Sequence, residues 1–148
     1  MDPVQSTQFS QNTVSVELPV QWGDQDLLGH VNNVVYFRWF ESARFAYVEQ
    51  TDLMEWMLKA KLGVILASVK CDYKFQLKYP DTVRVTAKVE RIGRSSVLMT
   101  HEVHSKALGT IAATGESVVV AFDYLKQASA PVPDEIRAKL SAFEGRQL

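Results

Sequence analysis

Cysteine is nearly missing from this chain. Cys71 is the only one in 148 residues, so no disulfide can close within the chain and no thiolate metal cluster is available. Long apolar runs are missing too: none approaches the roughly 18 residues that a membrane-spanning helix needs. Charge of one sign is not in excess, because 16 Lys and Arg against 17 Asp and Glu leave a formal net charge of -1. That balance argues against a nucleic-acid-binding surface and against an electrostatic membrane patch. The opening MDPVQSTQFSQNT lacks a basic flank followed by an apolar stretch, so it does not read as a signal peptide. Residues 1–12 are expected to form a flexible tail, and the protein is expected in the cytoplasm or another reducing compartment. No internal repeat and no low-complexity segment is found.

What remains is an ordinary globular composition, 47% hydrophobic, in a chain long enough for a single domain with its own core. TVSVELPVQW, residues 13 to 22, alternates as a first strand, with Pro19 marking an edge or bulge. Further strands are expected at Val64–Phe75, Thr82–Ile92, Ser96–Ser105 and Thr110–Asp123. The first of these puts Ile65, Ala67, Val69, Cys71, Tyr73 and Phe75 on one face and Lys70, Asp72 and Lys74 on the other. Short turns between the last four strands predict one antiparallel meander. The stretch between residues 50 and 64 is assigned no element. After ASAPVP, a short helix from Asp134 to about Phe143 opens with an acid and carries Arg137 and Lys139 further on, as the helix dipole prefers.

The helix expected from Asn33 to Gln50 sets the architecture. Tyr36, Trp39, Phe40, Ala43, Ala46 and Tyr47 share one broad arc, against a polar stripe of Arg38, Glu41, Ser42 and Glu49 that Phe45 interrupts. So wide an apolar arc predicts a helix wrapped by a curved sheet. Core packing accounts for these aromatics; Phe45, on the polar stripe, points to a partner surface.

Directly before this helix, WGDQDLLGHVNN gathers two acids, a histidine, two asparagines and two glycines. Two carboxylates this close cannot both ionise freely in a dry site. Gly29 permits a sharp turn. Asn32 and Asn33 are good helix caps, and the unpaired amides at a helix start attract an electron-rich oxygen as readily as a capping side chain.

DQDLLGHVNNVVYFRWFESAR resembles the motif of the 4-hydroxybenzoyl-CoA thioesterase family, matching it at Asp24, Asp26, Gly29, Val31, Tyr36, Trp39, Glu41 and Arg44. The GHVNN form is most similar to the thioesterases of long-chain acyl-CoA and acyl-carrier protein. The resemblance implies an α+β hotdog fold: a curved antiparallel sheet of five or six strands wrapped around one long helix. It would occupy residues 13–125, with 126–148 as an extension bearing the short helix. It also implies hydrolysis of an acyl-CoA or acyl-carrier-protein thioester. Asp26 then matches the catalytic carboxylate, either as nucleophile or as base toward water. The backbone amide of Asn33 matches the oxyanion donor, His30 would orient water or polarise the carbonyl, and Asp24 would hold the loop.

Tyr36, Glu41, Val64 and Ser68 fall at substrate-lining positions, although Glu41 could equally pair with Arg38 or Arg44 on the helix. Arg91 and Arg94 flank the turn where family members bind the CoA phosphates; Ile92 and Gly93 stand where some relatives have further arginines. No cofactor and no metal is implied. The expected assembly is a homodimer or a homotetramer with active sites at the subunit boundary.

Three rival readings are weighed. A hotdog enoyl-CoA hydratase would carry D-x-N-P-x-H, and no NP occurs here. A non-catalytic acyl-CoA sensor of the known kind carries a DNA-binding helix-turn-helix, for which the N-terminal tail is too short. Metal binding by Asp24, Asp26 and His30 would need help from His101 or His104, both placed on a distant strand.

Overall fold

The computed structural model describes residues 13–148, so the tail expected at 1–12 lies outside the described residues. The elements follow in the order β1 (Val14–Pro19), a 3-10 turn (Trp22–Asp24), α1 (Asn33–Gln50), α2 (Leu53–Ala60), β2 (Gly63–Tyr73), β3 (Thr82–Ile92), β4 (Ser96–Ser105), β5 (Thr110–Asp123), β6 (Ala128–Ser129) and α3 (Asp134–Glu144). The strands form one antiparallel sheet of six in the order β1-β3-β4-β5-β2, with β6 paired to the end of β5.

The meander therefore covers β3, β4 and β5 only. β2 does not pair with β3 as its short connection suggested; it crosses to the far side and pairs with β5 from Gly63↔Phe122 to Tyr73↔Ala113. The connection after β2 makes the crossing tolerable because it is tied down. Leu77 is buried, its carbonyl accepts the Val31 amide at 2.8 Å, and the Asp81 carbonyl accepts the Val20 amide at 2.8 Å. Strand boundaries also move: β1 runs Val14–Pro19, with Trp22 starting the 3-10 turn, and β2 runs Gly63–Tyr73 rather than Val64–Phe75.

α1 lies along the concave face, mainly over β1 and β3, and buries Tyr36, Trp39, Phe40, Ala43 and Tyr47. Phe40 is fully buried and stacks on His101 with ring centroids 4.8 Å apart. Its ring also presses on Gly115 of β5, where any β-carbon would collide with it. Glycine is what lets this helix approach the sheet. Truncating a ring buried in this way costs about 3–5 kcal/mol.

α2 has no counterpart in the sequence reading. It is one short helix flanked by Asp52 and Lys61, both in the left-handed region (φ 55° and 57°), and no side chain caps it. α3 packs back onto the sheet, burying Ile136 and Leu140, while the Arg137 guanidinium donates to the carbonyls of Ile92 and Gly93 at 3.3 and 2.9 Å. Both edge strands lack a further strand partner among the described residues, β1 beyond β3 and β2 beyond β5, and on β2 the side chains of Val64, Ile65 and Leu66 are exposed.

Candidate active site

The loop from Gln25 to Val31 folds back on itself at the mouth of α1. The Asp26 amide donates to the His30 carbonyl at 2.8 Å, and the Gly29 amide donates to the Asp26 carbonyl at 3.0 Å. Gly29 has φ 79°, a left-handed conformation that glycine enters without steric cost. The Asp26 carboxylate accepts the Leu28 amide at 2.9 Å and is otherwise open to the space in front of the helix. Asp24 faces away from that space. Its carboxylate accepts the Gln21 amide at 2.8 Å and its carbonyl accepts the Asn32 amide at 2.8 Å, as expected of a loop-holding acid.

The two asparagines divide the helix start between them. Asn32 is the cap: its side-chain oxygen accepts the Val34 amide at 3.1 Å and its carbonyl accepts the Val35 amide at 3.0 Å. Asn33 is the first helical residue, and its own amide has no acceptor among the described residues. The sequence left the capping role open between them; the structure gives it to Asn32 alone. An unspent N–H at a helix N-terminus is a ready donor to a developing anion.

A cavity of about 450 Å³ stands before this donor. Asp26, His30, Asn33 and Tyr36 line it together with Tyr73, Lys74, Phe75 and Gln76 from the end of β2 and the segment after it. The β2 contribution was not foreseen, because alternation assigned Tyr73 and Phe75 to a buried face. Tyr73 instead packs edge-on to Tyr36 at 4.9 Å and donates its hydroxyl to the Asn33 carbonyl at 2.9 Å. Burial pushes both the Tyr36 and Tyr73 phenols up to about 12, with the neighbouring Cys71 adding to it. Both stay neutral near pH 7 and serve as walls, and the Tyr73 hydroxyl is spent as a donor to Asn33.

The remaining candidates lie elsewhere on the same chain. Glu41 and Val64 line a second cavity of about 310 Å³, bounded by the C-terminal half of α1, α2, the sheet and α3. Ser68 lies on exposed β2 and lines neither cavity. Arg91 and Arg94 are exposed at the β3–β4 turn, roughly 30 Å along β3 from the end that faces the Asp26 loop. So the structure brings together Asp26, His30, Asn33 and Tyr36, and keeps Glu41, Val64, Ser68, Arg91 and Arg94 apart from them within one chain.

Arg44, the last position of the motif, reaches under α1 into a buried chain of hydrogen bonds. Its guanidinium donates to Ser117 Oγ at 2.8 Å; Ser117 Oγ lies 2.8 Å from His101 Nε2; and His101 Nδ1 lies 3.0 Å from the Thr86 carbonyl. The carbonyl can only accept, so Nδ1 carries the proton and Nε2 accepts from Ser117. Burial depresses the Arg44 guanidinium, opposed by nearby Glu41, and lowers the His101 imidazole to about 4, with Arg44 adding to the effect. Among the described residues, no group of three or more His, Cys, Asp or Glu is placed to hold a metal ion. No helix among them is long and apolar enough to cross a membrane.

An antiparallel sheet curled around one long helix, with an open carboxylate and an unspent amide at that helix's mouth, defines a hotdog-fold protein. The profile of the thioesterase-like superfamily matches residues 20–140, and the chain belongs to that family. It is a thioester-hydrolysing enzyme by family and fold. It is 21% identical to the long-chain acyl-CoA thioesterase FadM of Escherichia coli over 86% of this chain and 96% of that one. A thioesterase from Thermus thermophilus, solved with coenzyme A and Zn, is 33% identical over 91% of this chain and 96% of its own, with a TM-score of 0.76. The DHNA-CoA thioesterase of Staphylococcus aureus shares the fold at a TM-score of 0.75 and 22% identity, covering 90% of this chain and 93% of its own.

Proposed function

We propose that the protein hydrolyses acyl-CoA thioesters, with Asp26 as the catalytic carboxylate and the Asn33 amide as oxyanion donor. The observation that carries this is the pairing of an open carboxylate with an unspent helix N-terminal N–H across one cavity. Placed there, a thioester carbonyl directs its oxygen at the Asn33 amide while the Asp26 carboxylate meets the carbonyl carbon or the water that attacks it. As negative charge grows on the oxygen, the amide and the helix dipole behind it stabilise it without rearranging. On the water route Asp26 takes a proton from the attacking water and returns it to the departing thiolate as the carbon–sulfur bond breaks, leaving the free acid. On the nucleophile route the thiolate leaves an acyl–Asp26 anhydride, which water cleaves to the free acid, releasing the proton that the thiolate takes. His30, beside the same cavity, orients the water or the carbonyl.

The active unit is a homodimer built on β2, alone or within a dimer of dimers. A long, apolar, unpaired edge strand is a standing invitation to another strand, and a two-fold through the middle of β2, near Ser68, supplies one. Antiparallel pairing there sets the Val64 end of one chain against the Tyr73 end of the other. Glu41, Val64 and the partner's Asp26 loop then share one site, and the arginine-bearing β3–β4 turn is swung to the same end of the assembly. That arrangement explains why one chain holds the candidate residues in separate groups. Arg91 and Arg94 would meet the CoA phosphates from there.

The direct test is thiol release from acyl-CoAs of short, long and aromatic acyl groups. Turnover above background that disappears in Asp26→Asn supports the reading. No release from any of them points to a binding protein instead.

A further inference from the structure

The second cavity has a gradient of exposure. Its rim is open: Phe45 is 57% exposed, and Val64 and Leu66 belong to the bare edge of β2. Its floor is closed: Val89 and Leu140 are 1% exposed, and Met57 and Ile136 are 7% exposed. Glu41 and Arg44 are the charged groups in a lining that is otherwise apolar save for the Tyr47 hydroxyl, which is spent on Glu144 Oε1 at 2.6 Å. Two elements outside the sheet-and-long-helix scaffold close the bottom, α2 through Met57 and α3 through Ile136 and Leu140. They are tied to each other, since the Lys139 ammonium of α3 lies 4.9 Å from the centre of the Trp56 ring of α2.

We infer that this cavity is an acyl-chain ruler whose upper limit is set by Met57, Ile136 and Leu140. The inference rests on the hydrolytic reading above and adds the substrate class. A cavity lined by apolar side chains and lacking polar partners at its floor gains nothing from holding water and takes hydrocarbon instead. Its volume, about 310 Å³, is roughly twice the ~150 Å³ that holds the six carbons of benzene in an engineered apolar cavity, which gives room for roughly a dozen carbons. The occupant is thus a flexible hydrocarbon chain of medium length. A rigid aromatic acyl group would leave most of the floor unfilled. The opening faces the β2 edge, where the thioester end of the chain meets a partner's Asp26 loop.

The experiment measures kcat/KM for butanoyl-, octanoyl-, dodecanoyl- and hexadecanoyl-CoA and benzoyl-CoA, with melting temperatures to confirm folding. The wild type should peak near dodecanoyl. Met57→Trp and Ile136→Trp, which fill the floor, should move the peak to octanoyl or shorter, raising the octanoyl-to-dodecanoyl ratio at least tenfold. Met57→Ala should move the peak toward hexadecanoyl. Identical length profiles in the folded variants and wild type overturn the ruler while leaving hydrolysis standing, as does a preference for benzoyl-CoA. Should the wild type hydrolyse none of them, the hydrolytic reading fails, and titration with dodecanoic acid decides the cavity separately. Binding weakened tenfold or more by Met57→Trp supports it, and no binding overturns it.

Discussion

Asn32 and Asn33 are neighbours of one residue type with different duties. Asn32 holds the helix cap, so Asn32→Ala should cost about 1 kcal/mol of stability. Asn33→Ala should leave both stability and turnover nearly intact, because the donor assigned to Asn33 is its backbone amide. Asn33→Pro separates that donor from everything else. Proline is favoured at the first helical position, and Asn32 already has ψ 138°, the extended setting a residue before proline prefers. The variant should therefore melt close to wild type while kcat falls about a hundredfold to a thousandfold, the scale for loss of one oxyanion donor. A folded Asn33→Pro enzyme with normal kcat would remove the amide from the mechanism. Asp26→Asn belongs to the same set: kcat should fall by about a hundredfold or more with substrate binding little changed. Asp24→Asn should chiefly lower the melting temperature. If Asp24→Asn were folded but dead while Asp26→Asn turned over normally, the carboxylates would have been assigned in the wrong order.

Among the elements, α1, β3, β4 and β5 are joined below the surface by the Arg44–Ser117–His101–Thr86 chain, and that chain has a pH dependence. His101 is 1% exposed, and its imidazole is lowered to about 4 from the ordinary 6.5. The unfolded chain therefore binds a proton between those two values that the folded chain refuses. Stability from this group is complete above about pH 6.5 and is lost as the pH falls toward about 4, a loss on the order of 3 kcal/mol. Urea titrations of wild type and His101→Gln at pH 7 and pH 4.5 check it: the wild type should lose markedly more stability between the two. Equal losses would place the acid sensitivity in other groups.

The same scale shows where the sequence was legible. α1 and β3 to β5 were readable because their apolar periodicity is long and their turns are marked, and the polar cluster before α1 was readable from its motif. α2 was not, being short, uncapped by any side chain and flanked by left-handed residues that are not glycine. The place of β2 was not readable either, since nothing local in its sequence says which side of β5 it joins, and a bulge between Leu66 and Ser68 breaks its alternation. Tyr73 and Phe75 were missed as cavity walls because alternation put them on a buried face, whereas both are about half exposed.

For the whole molecule, the sharpest question is whether one chain or two make a site. Sedimentation should give at least twice the 16.7 kDa chain mass at micromolar concentration, but mass alone does not say who supplies which residue. Subunit complementation does. Asp26→Asn removes the carboxylate, and Val64→Trp blocks the rim of the apolar cavity at a position 42% exposed, where a larger ring need not disturb the core. Each homodimer should be nearly inactive toward dodecanoyl-CoA. In a mixed dimer built across β2, the intact Asp26 of the Val64→Trp chain faces the intact Val64 of the Asp26→Asn chain, so one site of the two is whole. Co-refolding equal amounts makes half the dimers mixed, and activity should recover to about a quarter of wild type. If Asp26 and Val64 of the same chain served one substrate, every site in the mixture would carry a defect, and co-refolding would recover nothing.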